Sequence, residues 1–222
     1  MAGHWGRVFG CAVAALGIAG AGIATAYPTR AVAAAVEPVA VAKEGRGSVY
    51  LFLGLANVFS TGLETLSDQL RARGVRNTVL NYGGWPNVAD EIVERTKRDP
   101  RALPVIIIGH SFGADAVIEI SAALATRGIP VALAVTFDAT QERPVPANVR
   151  HFINYYSAMD GIGKRLEGAS GFRGRLENIN VDTLDKGIGH FDIEKFEDFH
   201  KRVIGEVLGV IRAGGTRSAG AQ

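Results

Sequence analysis

An apolar segment that runs directly into a serine framed by two glycines constrains this chain more than any other feature. Residues 105–108 are all Val or Ile, and Gly-His-Ser-Phe-Gly follows at residues 109–113. A stretch rich in Ala, Ile and Leu comes next, at residues 114–127. This order predicts a buried strand, a sharp turn and a helix, because the glycines let strand and helix approach each other. Ser111 is therefore expected on a nucleophile elbow, with Oγ above the sheet edge and the helix N-terminus behind it.

Strand-like and helix-like segments alternate through most of the chain. Predicted strands are 48–53, 75–80, 105–108, 131–137, 149–155 and 176–181, and predicted helices are 61–73, 88–97, 114–127 and 193–211. The alternation predicts an α/β fold: a mostly parallel sheet with helices on both faces. No long insertion interrupts it, so the cap is expected to be minimal. The glycine-rich residues 160–175 could form either a mobile flap or a plain surface loop.

The two ends of the chain are expected to lie outside a catalytic domain at residues 47–212. Residues 8–26 form an apolar run rich in Ala and Gly, so residues 1–26 are predicted to be a cleaved signal peptide or an uncleaved membrane anchor. Either reading predicts a location outside the cytoplasm: periplasmic or secreted, or tethered to the membrane. Residues 27–46 are predicted to be a linker, and residues 213–222 a disordered tail.

Composition excludes several function classes. The formal net charge is +2, and without clustered Lys and Arg no nucleic-acid surface is expected; the predicted partner is a small molecule. The single cysteine, Cys11, lies in the apolar N-terminal run, so the domain is predicted to have no internal disulfide. No His, Cys and carboxylate cluster has the spacing of metal ligands, which predicts a site without a metal.

A serine hydroxyl is a weak nucleophile near neutral pH and needs a neighbouring base. His190 is the candidate base, because it lies in a glycine-flanked loop between the last predicted strand and the last predicted helix. The other histidines are less suited: His4 lies near the apolar run, His110 is expected to point away from the serine, His151 begins a strand, and His200 is expected on the solvent face of the last helix.

The acid that orients the base is expected between the serine and the histidine in the chain. Asp138 directly ends the predicted strand 131–137, whereas Asp160 follows the next strand within a glycine-bearing loop. Both can reach the sheet edge that carries Ser111. Rigid placement favours Asp138, and Asp160 remains the alternative acid.

An oxyanion hole needs two backbone N–H donors. The amide of Phe112, directly after the serine, is the first candidate. The second is expected in the loop after the first strand, where Leu55 is the candidate and Ala56 its alternative.

The motif at 109–113, the later Phe137-Asp138 and the late Gly189-His190 resemble the α/β-hydrolase superfamily over about residues 48–211. The spacing from Ser111 to Asp138 is similar to that of thioesterase-type members. At the end of the first strand the chain has Leu53-Gly54 where many esterases and lipases carry His-Gly, which leaves the position of the second oxyanion donor open.

The resemblance implies a serine hydrolase that cleaves a carboxylic ester or thioester through an acyl-enzyme, without a cofactor. It also implies the roles given above: Ser111 as nucleophile, His190 as base and Asp138 as acid. Two alternatives stay open: an acyltransferase that uses the same three residues, and a binding protein that keeps the fold without catalysis.

Overall fold

The computed structural model of the chain describes residues 46–55, 60–159, 161–184 and 187–219, the last four of these as backbone only. The predicted signal peptide or anchor at 1–26, and the predicted linker apart from residue 46, lie outside the described residues. Within the described part, no helix combines the length and apolarity that crossing a membrane requires.

A parallel sheet forms the centre of the described domain. Its strands are β1 (Ser48–Leu53), β2 (Thr78–Asn81), β3 (Val105–His110), β4 (Val131–Phe137), β5 (His151–Tyr156) and β6 (Arg175–Asn180). They lie in the order β2-β1-β3-β4-β5-β6, and each neighbouring pair is parallel. Parallel strands place all their carboxyl ends at one edge of the sheet, so the loops that follow them meet there.

Four longer helices cover the two faces of the sheet: α1 (Thr61–Arg71), α2 (Trp85–Arg98), α3 (Phe112–Ala125) and α4 (Glu197–Ala219). Adjacent residues of β1 show the division. Leu51 packs in one core cluster with Leu66 of α1 and Val203 of α4. Phe52, on the opposite face, packs in the other cluster, which α2 and α3 help to build. The predicted α/β class, with helices on both faces, is confirmed.

Helix α4 extends further than the sequence predicts. It continues past residue 211 to Ala219, so the first part of the tail predicted to be disordered is helical. Gly214 lies against Pro104, where a Cβ would come within 3.0 Å of the proline Cδ. Its carbonyl oxygen accepts a hydrogen bond of 3.3 Å from Nη1 of Arg46. Each glycine costs about 1 kcal/mol inside a helix, and these contacts offset part of that cost.

The glycine-rich segment after β5 is tied to the loop that follows β4. The amide of Lys164 donates to the carbonyl of Ala139 over 3.0 Å, and the amide of Val145 donates to Glu167 over 2.7 Å. Leu166 is buried among them. Among the described residues of this segment, 161–174, these bonds favour the surface-loop reading over a mobile flap.

Candidate active site

The predicted elbow is present between β3 and α3. Ser111 has φ 58° and ψ −125°, a conformation that residues other than glycine rarely adopt. A Cβ at Gly109 would overlap the carbonyl group of Gly113, and a Cβ at Gly113 would overlap the carbonyl group of Phe52. Both positions therefore require glycine, because strand and helix meet without room for a side chain.

A continuous chain of hydrogen bonds joins the three residues predicted as nucleophile, base and acid. Oγ of Ser111 lies 3.0 Å from Nε2 of His190, and Nδ1 of His190 lies 2.6 Å from Oδ2 of Asp138. A carboxylate only accepts hydrogen bonds, so Nδ1 carries the proton and Nε2 is left to accept the serine hydroxyl. All three side chains are buried or nearly so, with exposed fractions of 7%, 8% and 0%.

Asp138 is held from several sides. Its backbone amide donates to the carbonyl of Tyr155 over 2.8 Å, and its Oδ1 accepts from the amide of Ser157 over 2.8 Å. A Cβ on Gly163 would overlap Oδ1, so this glycine packs directly against the carboxylate. The alternative acid, Asp160, lies outside the described residues.

Backbone strain coincides with this site. Among the described residues, Ser111 and Asp138 are the two non-glycine residues with positive φ, and both have a φ of 58°. Such conformations cost about 1–3 kcal/mol each and persist where the surrounding structure enforces them. The two strained residues thus stand at the ends of neighbouring strands, β3 and β4, on either side of His190.

The two predicted oxyanion donors flank the same space. Phe112 begins α3, and the first amides of a helix have no acceptor within the helix. Leu55 follows Gly54, where a Cβ would lie 3.0 Å from Cβ of Ser111, so the loop after β1 packs against the serine. The Leu55 side chain is 54% exposed and is therefore not a core leucine. Its alternative, Ala56, lies outside the described residues.

A cavity of about 360 Å³ opens beside Ser111 and His190. Its apolar wall is formed by Leu55, Phe112, Ile162 and Phe191. Among the described residues that line it, none is Asp, Glu, Lys or Arg. The space is of the size and character that hold apolar small molecules.

The remaining histidines have other environments. The His110 ring lies 5.0 Å from the His190 ring, centroid to centroid, and its Nε2 lies 2.8 Å from the carbonyl oxygen of His190. Burial lowers the pKa of His110 to about 4. The expectation that His200 faces solvent is wrong: its side chain is buried and donates from Nε2 to the carbonyl of Glu194 over 2.7 Å. The reason is that α4 starts at Glu197, and its first turn packs on the short helical turn Ile193–Lys195.

Sequence reasoning missed two residues that shape this edge of the sheet. Asp115, in the first turn of α3, accepts hydrogen bonds from the amide and hydroxyl of Thr140, at 2.9 and 2.5 Å. It thereby fixes the loop that follows Asp138. Ser60, just before α1, contacts both Gly54 and His110. An acidic residue near a helix start, or a serine before one, suggests only ordinary capping, so the sequence carried no sharper signal.

The serine lies on a strained strand-to-helix turn above a parallel sheet, and the aspartate and the histidine follow it in that order along the chain. This arrangement is the one that identifies the fold. The chain has an α/β-hydrolase fold. Within the described residues, no group of three His, Cys, Asp or Glu side chains could hold a metal ion. The expected lack of a metal requirement stays a prediction.

No protein-family model and no curated protein sequence matches this chain. Among solved structures it is similar to the type II thioesterase BorB from the borrelidin biosynthetic cluster, with 15% identity over 75% of this chain and 92% of that chain and a TM-score of 0.49. It is also similar to the RedJ thioesterase of the prodiginine pathway in Streptomyces coelicolor, with 11% identity, coverage of 77% and 91% and a TM-score of 0.43. Human thioesterase 2 shares 7% identity, with coverage of 75% and 97% and a TM-score of 0.44. The chemistry of this chain has to be inferred from its own site.

Proposed function

We propose that this protein is a serine hydrolase that cleaves a carboxylic ester or thioester through an acyl-enzyme intermediate. The observation that carries the proposal is the chain of hydrogen bonds from Ser111 through His190 to Asp138, with distances of 3.0 and 2.6 Å. The serine stands on a strained turn at the start of α3, where a developing negative charge is stabilised by the helix.

In the first half of the reaction, Oγ of Ser111 attacks the carbonyl carbon of the substrate and its proton passes to Nε2 of His190. Asp138 stabilises the imidazolium that forms and keeps the proton on Nδ1. The amides of Phe112 and Leu55 donate to the oxyanion of the tetrahedral intermediate. When the bond to the leaving group breaks, the alcohol or thiol takes the proton from His190, and the acyl group stays on Ser111.

In the second half, a water molecule replaces the leaving group. His190 takes a proton from the water as it attacks the acyl-enzyme, and a second tetrahedral intermediate forms at the same oxyanion donors. Its collapse returns the proton to Oγ of Ser111 and releases a carboxylic acid. No redox or metal-bound group takes part in these steps.

The walls of the cavity indicate the acyl group. Leu55, Phe112, Ile162 and Phe191 offer apolar surface beside the serine, and an acyl chain gains about 25 cal/mol for each Å² of apolar surface removed from water. We therefore propose an uncharged, apolar acyl group. Charged acyl groups would enter without a partner, since the described lining has no Asp, Glu, Lys or Arg.

Replacement of Ser111 by alanine tests the proposed function. Wild-type protein should hydrolyse short p-nitrophenyl esters or acyl thioesters and react with a fluorophosphonate probe, and the Ser111→Ala variant should do neither. Ser121→Ala is the matched control, because Ser121 is also a buried serine and donates only to the carbonyl of Val117 within α3. Activity in a folded Ser111→Ala variant would rule out the proposed nucleophile.

We also propose that the enzyme acts outside the cytoplasm. The support is the apolar run at residues 8–26, which has the composition of a secretory signal. A tagged full-length chain should fractionate outside the cytoplasm, and its N-terminal sequence there will distinguish a cleaved signal from a retained anchor. Recovery of the intact chain in the soluble cytoplasmic fraction would contradict this localisation.

A further inference from the structure

A second chain of hydrogen bonds runs from the loop after β1 to the loop of His190 through His110, the residue before the nucleophile. The amide of Gly54 lies 2.9 Å from Oγ of Ser60, and the same oxygen lies 2.9 Å from Nδ1 of His110. Nε2 of His110 in turn lies 2.8 Å from the carbonyl oxygen of His190. Ser60 and His110 are 0% and 1% exposed, so water does not compete for these bonds.

The two ends of this chain fix every proton within it. The carbonyl oxygen of His190 can only accept, so Nε2 of His110 must carry its hydrogen. Nδ1 of the neutral ring then has to accept, and the hydroxyl of Ser60 donates to it. The amide of Gly54 can only donate, and it uses the remaining acceptor capacity of the Ser60 oxygen. Each group is satisfied in one arrangement, and reversing any bond would leave two donors or two acceptors facing each other.

This chain of hydrogen bonds connects two loops that the proposed reaction needs at a fixed separation. One is the loop after β1, where Gly54 precedes Leu55 and packs against Ser111. The other is the loop that carries His190, held here by its own carbonyl group. His110, directly before the nucleophile, links these two loops. Because His110 is the last residue of β3, the end of this strand fixes the positions of both loops and of Ser111.

We propose that Ser60 and His110 are positioning residues, which hold the loop of the oxyanion donor and the loop of the base in register around Ser111. This inference rests on the hydrolase function proposed above. Both residues also border the cavity beside Ser111, and their bonds here act through the backbone of Gly54 and of His190. A displacement of about 1 Å at a reacting group can cost about 10²-fold in rate, so a break in the chain should reduce turnover rather than binding.

Ser60→Ala is the first test, with Ser48→Ala as its control. Ser48, the first residue of β1, is also a buried serine, but its Oγ donates to the carbonyl of Ala102 at the opposite edge of the sheet. In Ser60→Ala we expect kcat to fall about 10²-fold, with KM within about twofold of wild type. Ser48→Ala should change neither value by more than about twofold. Equal kcat in the two variants would overturn the positioning role.

Two substitutions of His110 provide a rescue experiment. Glutamine carries an amide that can donate to the His190 carbonyl from the position of Nε2, whereas alanine cannot. His110→Gln should therefore turn over substrate at least about tenfold faster than His110→Ala. Equal losses in both, measured on folded protein, would show that the donor to His190 does not matter. If His110→Ala fails to fold, the comparison of His110→Gln with Ser60→Ala and Ser48→Ala still decides the matter.

The tautomer of His110 gives a readout that does not depend on activity. Nitrogen-15 NMR of the wild-type protein should show a neutral ring protonated at Nε2 from pH 6 to pH 8, and a ring protonated at Nδ1 would overturn the chain. The two proposals fail differently. If wild type neither hydrolyses esters or thioesters nor reacts with a fluorophosphonate, the proposed function fails and takes the positioning role with it. If wild type is active and Ser60→Ala behaves like Ser48→Ala, only the inference about Ser60 and His110 fails.

Discussion

Asp138 combines a buried carboxylate, a left-handed backbone and a direct bond to the imidazole of His190. Asparagine tolerates positive φ better than most residues, so Asp138→Asn should keep the backbone conformation. The amide stabilises the wrong tautomer of His190, and kcat should fall by about four orders of magnitude. Steady-state kinetics, with thermal unfolding as the check on folding, measure this.

Asp160→Asn is the paired variant, because Asp160 was the other acid that the sequence allowed. It should leave kcat within about twofold of wild type, because in this proposal Asp138 alone orients His190. A large loss in Asp160→Asn together with an active Asp138→Asn would show that the acid lies one strand later. The spacing between Ser111 and Asp138, which resembles that of thioesterase-type members, would then be misleading.

Gly163 offers a steric test of the same carboxylate. An added Cβ would overlap Oδ1 of Asp138, so Gly163→Ala must displace the acid or the loop. We expect kcat to fall by about 10²-fold, because a displaced Asp138 no longer holds His190 in the geometry that the reaction needs. The control is Gly205→Ala in α4, where a Cβ meets no atom within 4 Å. Unchanged kcat in Gly163→Ala would show that the carboxylate has room to move.

At the scale of elements, hydrophobic pattern predicted the strands and helices well and their ends less well. β1 and β4 have the predicted bounds because runs of buried, mostly apolar residues mark them. Helix α2 begins at Trp85 rather than residue 88, since Pro86 suits the first turn of a helix although it also suggests a loop. Strand β2 starts at Thr78, and Val75 before it belongs to the turn that closes α1.

Some residues of the candidate site could be predicted from the sequence and others could not. Ser111, His190 and Asp138 could be found from the sequence because each follows a recognisable strand or glycine pattern. Ser60 could not, since its contacts to Gly54 and His110 exist only after distant segments fold together. The positive φ of Asp138 was equally invisible, because it results from packing around a strand end rather than from local preference.

The short turn before α4 contains a buried acid. Glu194 is 0% exposed, and neither carboxyl oxygen has a hydrogen-bond partner of good geometry among the described residues. Burial raises its pKa from 4.5 to about 7, which the nearby amides of Leu63 and Gly62 oppose only in part. The folded state therefore holds this proton more tightly than the unfolded chain does. Stability should fall as pH rises from about 4.5 to 7 and stay reduced above that range.

Glu194→Gln removes the charge and nearly preserves the shape. At pH 8 the variant should be more stable than wild type by up to about 3 kcal/mol, and the difference should vanish near pH 4.5. Urea unfolding at both pH values measures this. Glu197→Gln, at an exposed carboxylate in the first turn of α4, is the control variant and is measured at the same two pH values. A gain in Glu194→Gln that is equal at both pH values would exclude titration as its cause.

On the scale of the whole molecule, the carboxyl and amino ends of the parallel strands lie at opposite edges of the sheet, and the two edges have different contacts. The carboxyl edge carries Ser111, Asp138 and His190, and the apolar cavity opens there. At the amino edge, α4 passes Pro104 and reaches Arg46 through the carbonyl of Gly214. A six-residue strand rises about 20 Å, which sets the depth of protein between the two edges.

The contact between Arg46 and Gly214 has a practical consequence for handling the enzyme. Arg46, where the described domain begins, and Gly214, in the last part of α4, lie side by side on the side of the sheet away from the cavity. Coupling the domain to a solid support through either end would turn the mouth of the cavity toward the bulk liquid. A domain trimmed to residues 46–214 could be closed into a circle by a short linker, and the circle could then be reopened in a surface loop to give a circular permutant.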